Sequence, residues 1–157
     1  MKVYRLSRTQ KIPLSLEDAW SYFSSPKNLQ EITPDDLKFR ILTDILEDKM
    51  YSGQIINYIV TPLLNIPMRW TTEIKHVEEG VYFVDEQRFG PYALWHHKHF
   101  IKEIKGGVEM IDIIDYKLPF GILGRLAHPI LVKRKLNEIF TYRYNKLIEL
   151  FGTYKKQ

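Results

Sequence analysis

Between Val81 and Leu118 apolar and polar residues alternate with a period of two, and beyond about Ile130 the period lengthens to that of a helix. Residues 2–12 read as a first strand. Ser15 is then placed as a helix N-cap, with Asp18 three residues on, and the segment LEDAWSYF puts Leu16, Ala19, Trp20 and Phe23 on one face. Ser25-Pro26 opens a second short helix in which Leu29 and Ile32 face inward, and Thr33-Pro34 closes it. Six further strands are predicted: 37–42, 53–61, 67–77, 81–89, 94–105 and 108–118. Glu79-Gly80, Gly90-Pro91 and Gly106-Gly107 supply the turns of the last four. Pro129 lies near the start of the C-terminal helix, and Gly121 and Gly124 predict an irregular lead-in.

This order predicts an α+β fold, in which a curved antiparallel sheet of about seven strands wraps a long C-terminal helix. An antiparallel sheet with one apolar face must cover that face, and the terminal helix is the element long enough to do so. A cavity is expected between them. The predicted domain spans residues 1–152, and 153–157 form a polar tail.

Alternation also sorts the polar residues. On strand 94–105 one face carries Trp95, His97, His99 and Ile101; the other carries His96, Lys98, Phe100 and Lys102. On 81–89 Phe83, Asp85, Gln87 and Phe89 share a face, and on 108–118 Met110, Asp112, Ile114 and Tyr116 do. Burying Glu86, Arg88, Lys98 and Lys102 together would be very costly, so their faces look at water and the histidine face looks at the helix. With the turn centred on Gly106-Gly107, His97 falls opposite Tyr116, His99 opposite Ile114 and Ile101 opposite Asp112. A three-residue turn around Pro91 sets Asp85 opposite His97 and Gln87 opposite Trp95. Asp85, His97 and Tyr116 are then expected in one row, with Gln87, Trp95, His99 and Asp112 around it and Trp70 and Tyr58 as apolar walls.

Three chemistries fit such a cluster: a self-satisfied core network, the lining of a ligand pocket, or a reactive centre. As a catalyst, His97 beside Asp85 would be an oriented imidazole and Tyr116 a proton donor for acid–base work on a carbonyl or a ring closure. As a metal site, His97 and His99 would form a His-x-His pair completed by Asp85 or Asp112. Same-face histidines on a strand are more often lining or core, so neither metal nor cofactor is expected. His96 points outward, as a surface residue.

Composition narrows the function classes. At 157 residues the chain has the size of one domain, and 45% hydrophobic residues suffice for a core. A net charge of +4, with basic residues mostly interleaved with acids, is not the footprint of a nucleic-acid binder. The absence of cysteine removes disulfides and thiolate chemistry and suits a reducing compartment. MKVYRLSRTQKIPL lacks the apolar run of a signal peptide, and no stretch is long enough to span a bilayer, so a cytoplasmic location without stable membrane insertion is expected. The run Lys133-Arg134-Lys135 reads as a solvated helix face or, alternatively, as attraction to anionic lipid.

The stretches AWSYFSSPKNLQEITP (19–34), IPMRWTTEI (66–74), DEQRFGPYALWHHKHF (85–100) and DYKLPFGILGRLAHPI (115–130) resemble a bacterial branch of the START-like, or SRPBCC, superfamily of helix-grip proteins. This superfamily includes lipid-transfer, polyketide-cyclase and Bet v 1-type domains. The resemblance implies binding of a small hydrophobic or amphipathic molecule between sheet and helix. It assigns no reaction to the branch. Some relatives resemble domains fused to an epimerase-like dehydrogenase, but the chain has no Gly-rich dinucleotide fingerprint.

Overall fold

A computed structural model describes residues 2–44, 47, 49–62 and 66–156. Met1 and Gln157, the outer ends of the predicted domain and tail, lie outside the described residues. Seven strands form one antiparallel sheet: β1 (Tyr4–Ile12), β2 (Arg40–Ile41), β3 (Ile55–Val60), β4 (Met68–Glu78), β5 (Tyr82–Phe89), β6 (Leu94–Ile104) and β7 (Gly107–Lys117), in the order β1-β7-β6-β5-β4-β3-β2. Helix α1 (Leu16–Phe23) and a 3-10 turn (Pro26–Leu29) follow β1. Ser15 caps α1: its Oγ accepts from the Asp18 N–H at 3.1 Å and donates to the Asp18 carboxylate at 2.6 Å. The chain ends in α2 (Gly121–Ala127), a π turn (His128–Val132) and α3 (Lys133–Phe151).

The predicted α+β helix-grip architecture is therefore observed. Leu147 on α3 packs with Phe83, Ile101 and Met110 of the sheet and with Trp20 and Phe23 of α1. Leu136 and Phe140 pack with Ile114 and Tyr116 at the other end of β7. Burying each such side chain stabilises the fold by about 1.5–3 kcal/mol. The tail is tied back, with Tyr154 Oη donating to the Lys105 carbonyl at 2.7 Å.

Four expectations are corrected. Residues 37–42 do not form a full strand: Asp35–Leu37 is a 3-10 turn, Lys38 is left-handed at φ 46°, and Arg40–Ile41 alone pair with β3. Leu37 is buried from that turn, so its place in the alternation was accidental. The lead-in to the terminal helix is itself helical. Phe89 is exposed rather than inward, because a bulge lets Thr71 pair with Phe89 and Thr72 with Gln87, leaving Arg88 unpaired in that ladder.

The fourth correction reaches the site. The β6–β7 turn centres on Lys105-Gly106, so Ile104 pairs with Gly107, Ile101 with Met110, His99 with Asp112, His97 with Ile114 and Trp95 with Tyr116. Gly106 takes the positive φ of 78° that the turn needs. Gly107 is glycine for a different reason. A Cβ there would lie 2.2 Å from the Ile12 carbonyl oxygen, so only glycine lets the end of β1 approach. The ladder is two residues away from the predicted register, and a shift of two keeps every side chain on its predicted face. Asp85 does pair with His97.

Candidate functional site

A cavity of about 180 Å³ lies between the concave face of the sheet and α3. Trp70, Trp95, Tyr58 and Tyr92 form part of its wall from the sheet side, Leu136 and Phe140 from the helix. The aromatic wall is mutually braced: Trp70 meets Trp95 edge-on with centroids 5.2 Å apart and stacks on Tyr58 at 5.8 Å. Asp85, His97, His99 and Arg143 supply its charged part.

The cluster follows from the ladder. His97 stands opposite Asp85, and His99 opposite Asp112. Each ring bonds diagonally instead: His97 Nε2 to Asp112 Oδ1 at 2.8 Å, and His99 Nε2 to Asp85 Oδ2 at 2.7 Å. The crossed pairs bring the two imidazole centroids to 3.6 Å. His97 Nδ1 lies 3.6 Å from Asp85 Oδ2. His99 Nδ1 lies 3.0 Å from Asp112 Oδ1 but without hydrogen-bond alignment, which leaves it unpartnered. Phe83 stacks beneath His99 at 4.1 Å. From α3, the Arg143 guanidinium comes to 3.8 Å of Asp112 Oδ1 and lies over the Phe140 ring.

Electrostatics separates the two histidines. Burial opposes the charged form of His99, yet Asp112 and Asp85 outweigh it and hold its pKa above the ordinary value of 6.5. Burial and the neighbouring His99 push His97 below 6.5, against the pull of both carboxylates. Burial also opposes ionisation of Asp85 and Asp112, but hydrogen bonds and charge from the histidines keep both below the usual carboxylate range. These directions favour ionised carboxylates and place a proton on His99 in preference to His97. Because a carboxylate only accepts, His97 Nε2–H donates to Asp112, and in the neutral form that its lowered pKa favours, His97 keeps a lone pair on Nδ1.

Among the described residues, Asp85, His97 and His99 form the one group with metal-ligand geometry, with ligand atoms within 4.8 Å of one another. Those atoms already serve the ion-pair network, and a divalent ion would have to displace the His99 proton.

The sequence-predicted residues divide accordingly. Trp70, Asp85, Trp95, His97 and His99 are on the cavity wall. Asp112 holds both histidines from behind it. Tyr116 is not in the row with Asp85 and His97: it faces Trp95 across the ladder and shares a 2.8 Å hydrogen bond with His128. Gln87 leaves the site as well. Its amide clasps the β5–β6 loop, donating to the Tyr92 carbonyl at 2.7 Å and accepting from the Tyr92 N–H at 3.1 Å. His96 points outward and bonds Glu86 at 2.7 Å.

Strand alternation does not reach Arg143, though the helix spacing carries a signal for it. It lies seven residues after Leu136 and four before Leu147, a charge inside the apolar stripe of α3. Its Nε and the indole Nε1 of Trp70 are buried donors without a hydrogen-bond partner among the described residues.

No protein-family model matches the chain, and no curated protein matches it. Solved structures do. A START superfamily protein of Mycobacterium smegmatis aligns with a TM-score of 0.69 at 13% identity over 93% of this chain and 98% of its own. A protein of Chromobacterium violaceum aligns at 0.67 with 11% identity, over 97% and 98%. A nucleoside-diphosphate sugar epimerase of Corynebacterium glutamicum aligns at 0.64 with 19% identity, over 92% of this chain but 28% of its own. At these identities the likeness is one of architecture: the chain has the fold of START superfamily proteins.

Proposed function

We propose that this protein binds a small, mostly apolar molecule in the cavity between sheet and α3, with the polar end of that molecule at the Asp85–His97–His99–Arg143 cluster. One observation carries the reading: two buried donors without a partner among the described residues, Trp70 Nε1 and Arg143 Nε, belong to residues lining a mostly aromatic and aliphatic cavity. Buried polar groups in folded proteins are rarely left unbonded, and a ligand oxygen would satisfy such donors. The fold shared with START superfamily proteins supports a ligand-binding role. The test is native mass spectrometry of protein purified from its own host, joined to titration of the co-purifying molecule against intrinsic fluorescence. Trp70 and Trp95 line the cavity, so binding should change the emission, and W95F should remove much of the change. A mass equal to the bare chain, and fluorescence indifferent to lipid-like amphiphiles, would reject the proposal.

The arrangement of His97 favours a second reading. An imidazole oriented by Asp112, neutral, with a free lone pair on a cavity-lining side chain, has the features of a general base. Such a catalyst would lack Tyr116, which is engaged with His128. Turnover of the bound molecule that H97Q abolishes while binding persists would establish it.

A further inference from the structure

Helix α2 and the π turn are built inside out. The stripe Gly124, His128 and Val132 packs inward. His128 stacks on Tyr4 at 3.6 Å and bonds Tyr116, and Gly124 lies so close to the Pro119 carbonyl that a Cβ would meet it at 2.1 Å. The opposite stripe is apolar and faces out: Phe120 is 82% exposed, Ile122 71%, Leu123 73%, Leu126 67% and Ile130 71%. Large side chains so exposed and so contiguous mark an interaction surface.

Charge identifies what that surface meets. Between Asp115 and Glu138 there is no acidic residue, while Lys117, Arg125, Lys133, Arg134 and Lys135 fall in the same stretch. Lys133 and Arg134 are exposed at the C-terminal end of the apolar stripe, Arg134 in an exposed pair with Glu138 one turn on at 2.9 Å, and Lys135 is paired with Asp36. Self-association through this face would set like charges against like. An apolar helical stripe bordered by cations instead fits the interface of an anionic bilayer, where apolar side chains enter the acyl boundary and Lys and Arg meet lipid phosphates and carboxylates.

We propose that the outward face of α2 and the π turn is a docking surface for anionic lipid bilayers. Docking is peripheral, since no helix among the described residues is long and apolar enough to cross a membrane. The surface adjoins the cavity through the cluster in which Val132 packs with Leu136, Trp95 and Tyr92. It does not depend on what the cavity holds.

The test is flotation of the intact protein with vesicles of phosphatidylcholine alone or mixed with phosphatidylglycerol. Binding is expected to the mixed vesicles, to fall as salt rises, and to be slight on phosphatidylcholine. The double variant L123D/L126D alters only exposed side chains, so its circular dichroism and Tm should match the parent while flotation is lost. K133E/R134E should lower partitioning at least about tenfold. Failure of the parent protein to float with anionic vesicles overturns the proposal. So does flotation of both variants at the parental level. A concentration-dependent dimer in light scattering that L123D/L126D abolishes, without vesicle binding, would reassign the face to a second copy of the chain.

Discussion

At the residue scale, Asp112 organises the cluster. Its Oδ1 receives His97 and has His99 Nδ1 and Arg143 nearby, so its removal strands buried charge. Breaking one side of a buried ion pair typically costs about 3–5 kcal/mol, and D112A should lose stability on that scale in urea unfolding. The histidines give a pH signature of known sign. His99 has a raised pKa, so its stabilising contribution is complete below its unfolded value near 6.5 and disappears as pH rises through the folded value. The depressed carboxylates act in the other direction, with contributions present above about 3.8 that vanish as pH falls through their folded values. Urea midpoints followed upward from pH 6.5 should therefore decline more steeply for the parent protein than for H99Q. Parallel curves would refute a cationic His99.

At the element scale, the alternation of β5, β6 and β7 was legible because burial of one face enforces a period of two. His97, His99, Asp112 and Tyr116 are all buried as that pattern required. Register was not legible, because Gly106 and Gly107 offered two turn centres. Parity survives the difference between them, whereas neighbours across the ladder do not, and so Tyr116 was assigned a place that belongs to Ile114. Local alternation misled at 37–42, where a 3-10 turn buries Leu37 without a strand. Gly107 offers a direct check. A methyl group there collides with the Ile12 carbonyl, so G107A should cost about 1–3 kcal/mol by thermal unfolding.

At the scale of the whole molecule, sheet and helix hold one another apart. The aromatic wall and the crossed ion pairs fill the concave face unevenly, and the cavity is what remains. Arg143 shows why sequence alone gave an incomplete site: it reaches the cluster from an element more than thirty residues downstream of His99, and strand parity says nothing of helix rotation. R143M would remove a cation from the cavity without disturbing the diagonal His–Asp bonds. Because it takes a buried partner from Asp112, it should lower urea stability by up to about 3–5 kcal/mol, and in the folded variant it should weaken binding of anionic amphiphiles more than that of neutral ones, read by fluorescence titration.

The cavity wall and the residue behind it set the Asp85 and Asp112 carboxylates against the Arg143 guanidinium and a histidine, His99, whose charged form they favour. An incoming carboxylic acid would therefore be accommodated most easily in its protonated form, or by handing its proton to the lone pair of His97. Uptake of a fatty-acid-like guest would then be coupled to uptake of a hydrogen ion, and loading would weaken as the medium turns alkaline. A neutral alcohol or ester would load with no such dependence.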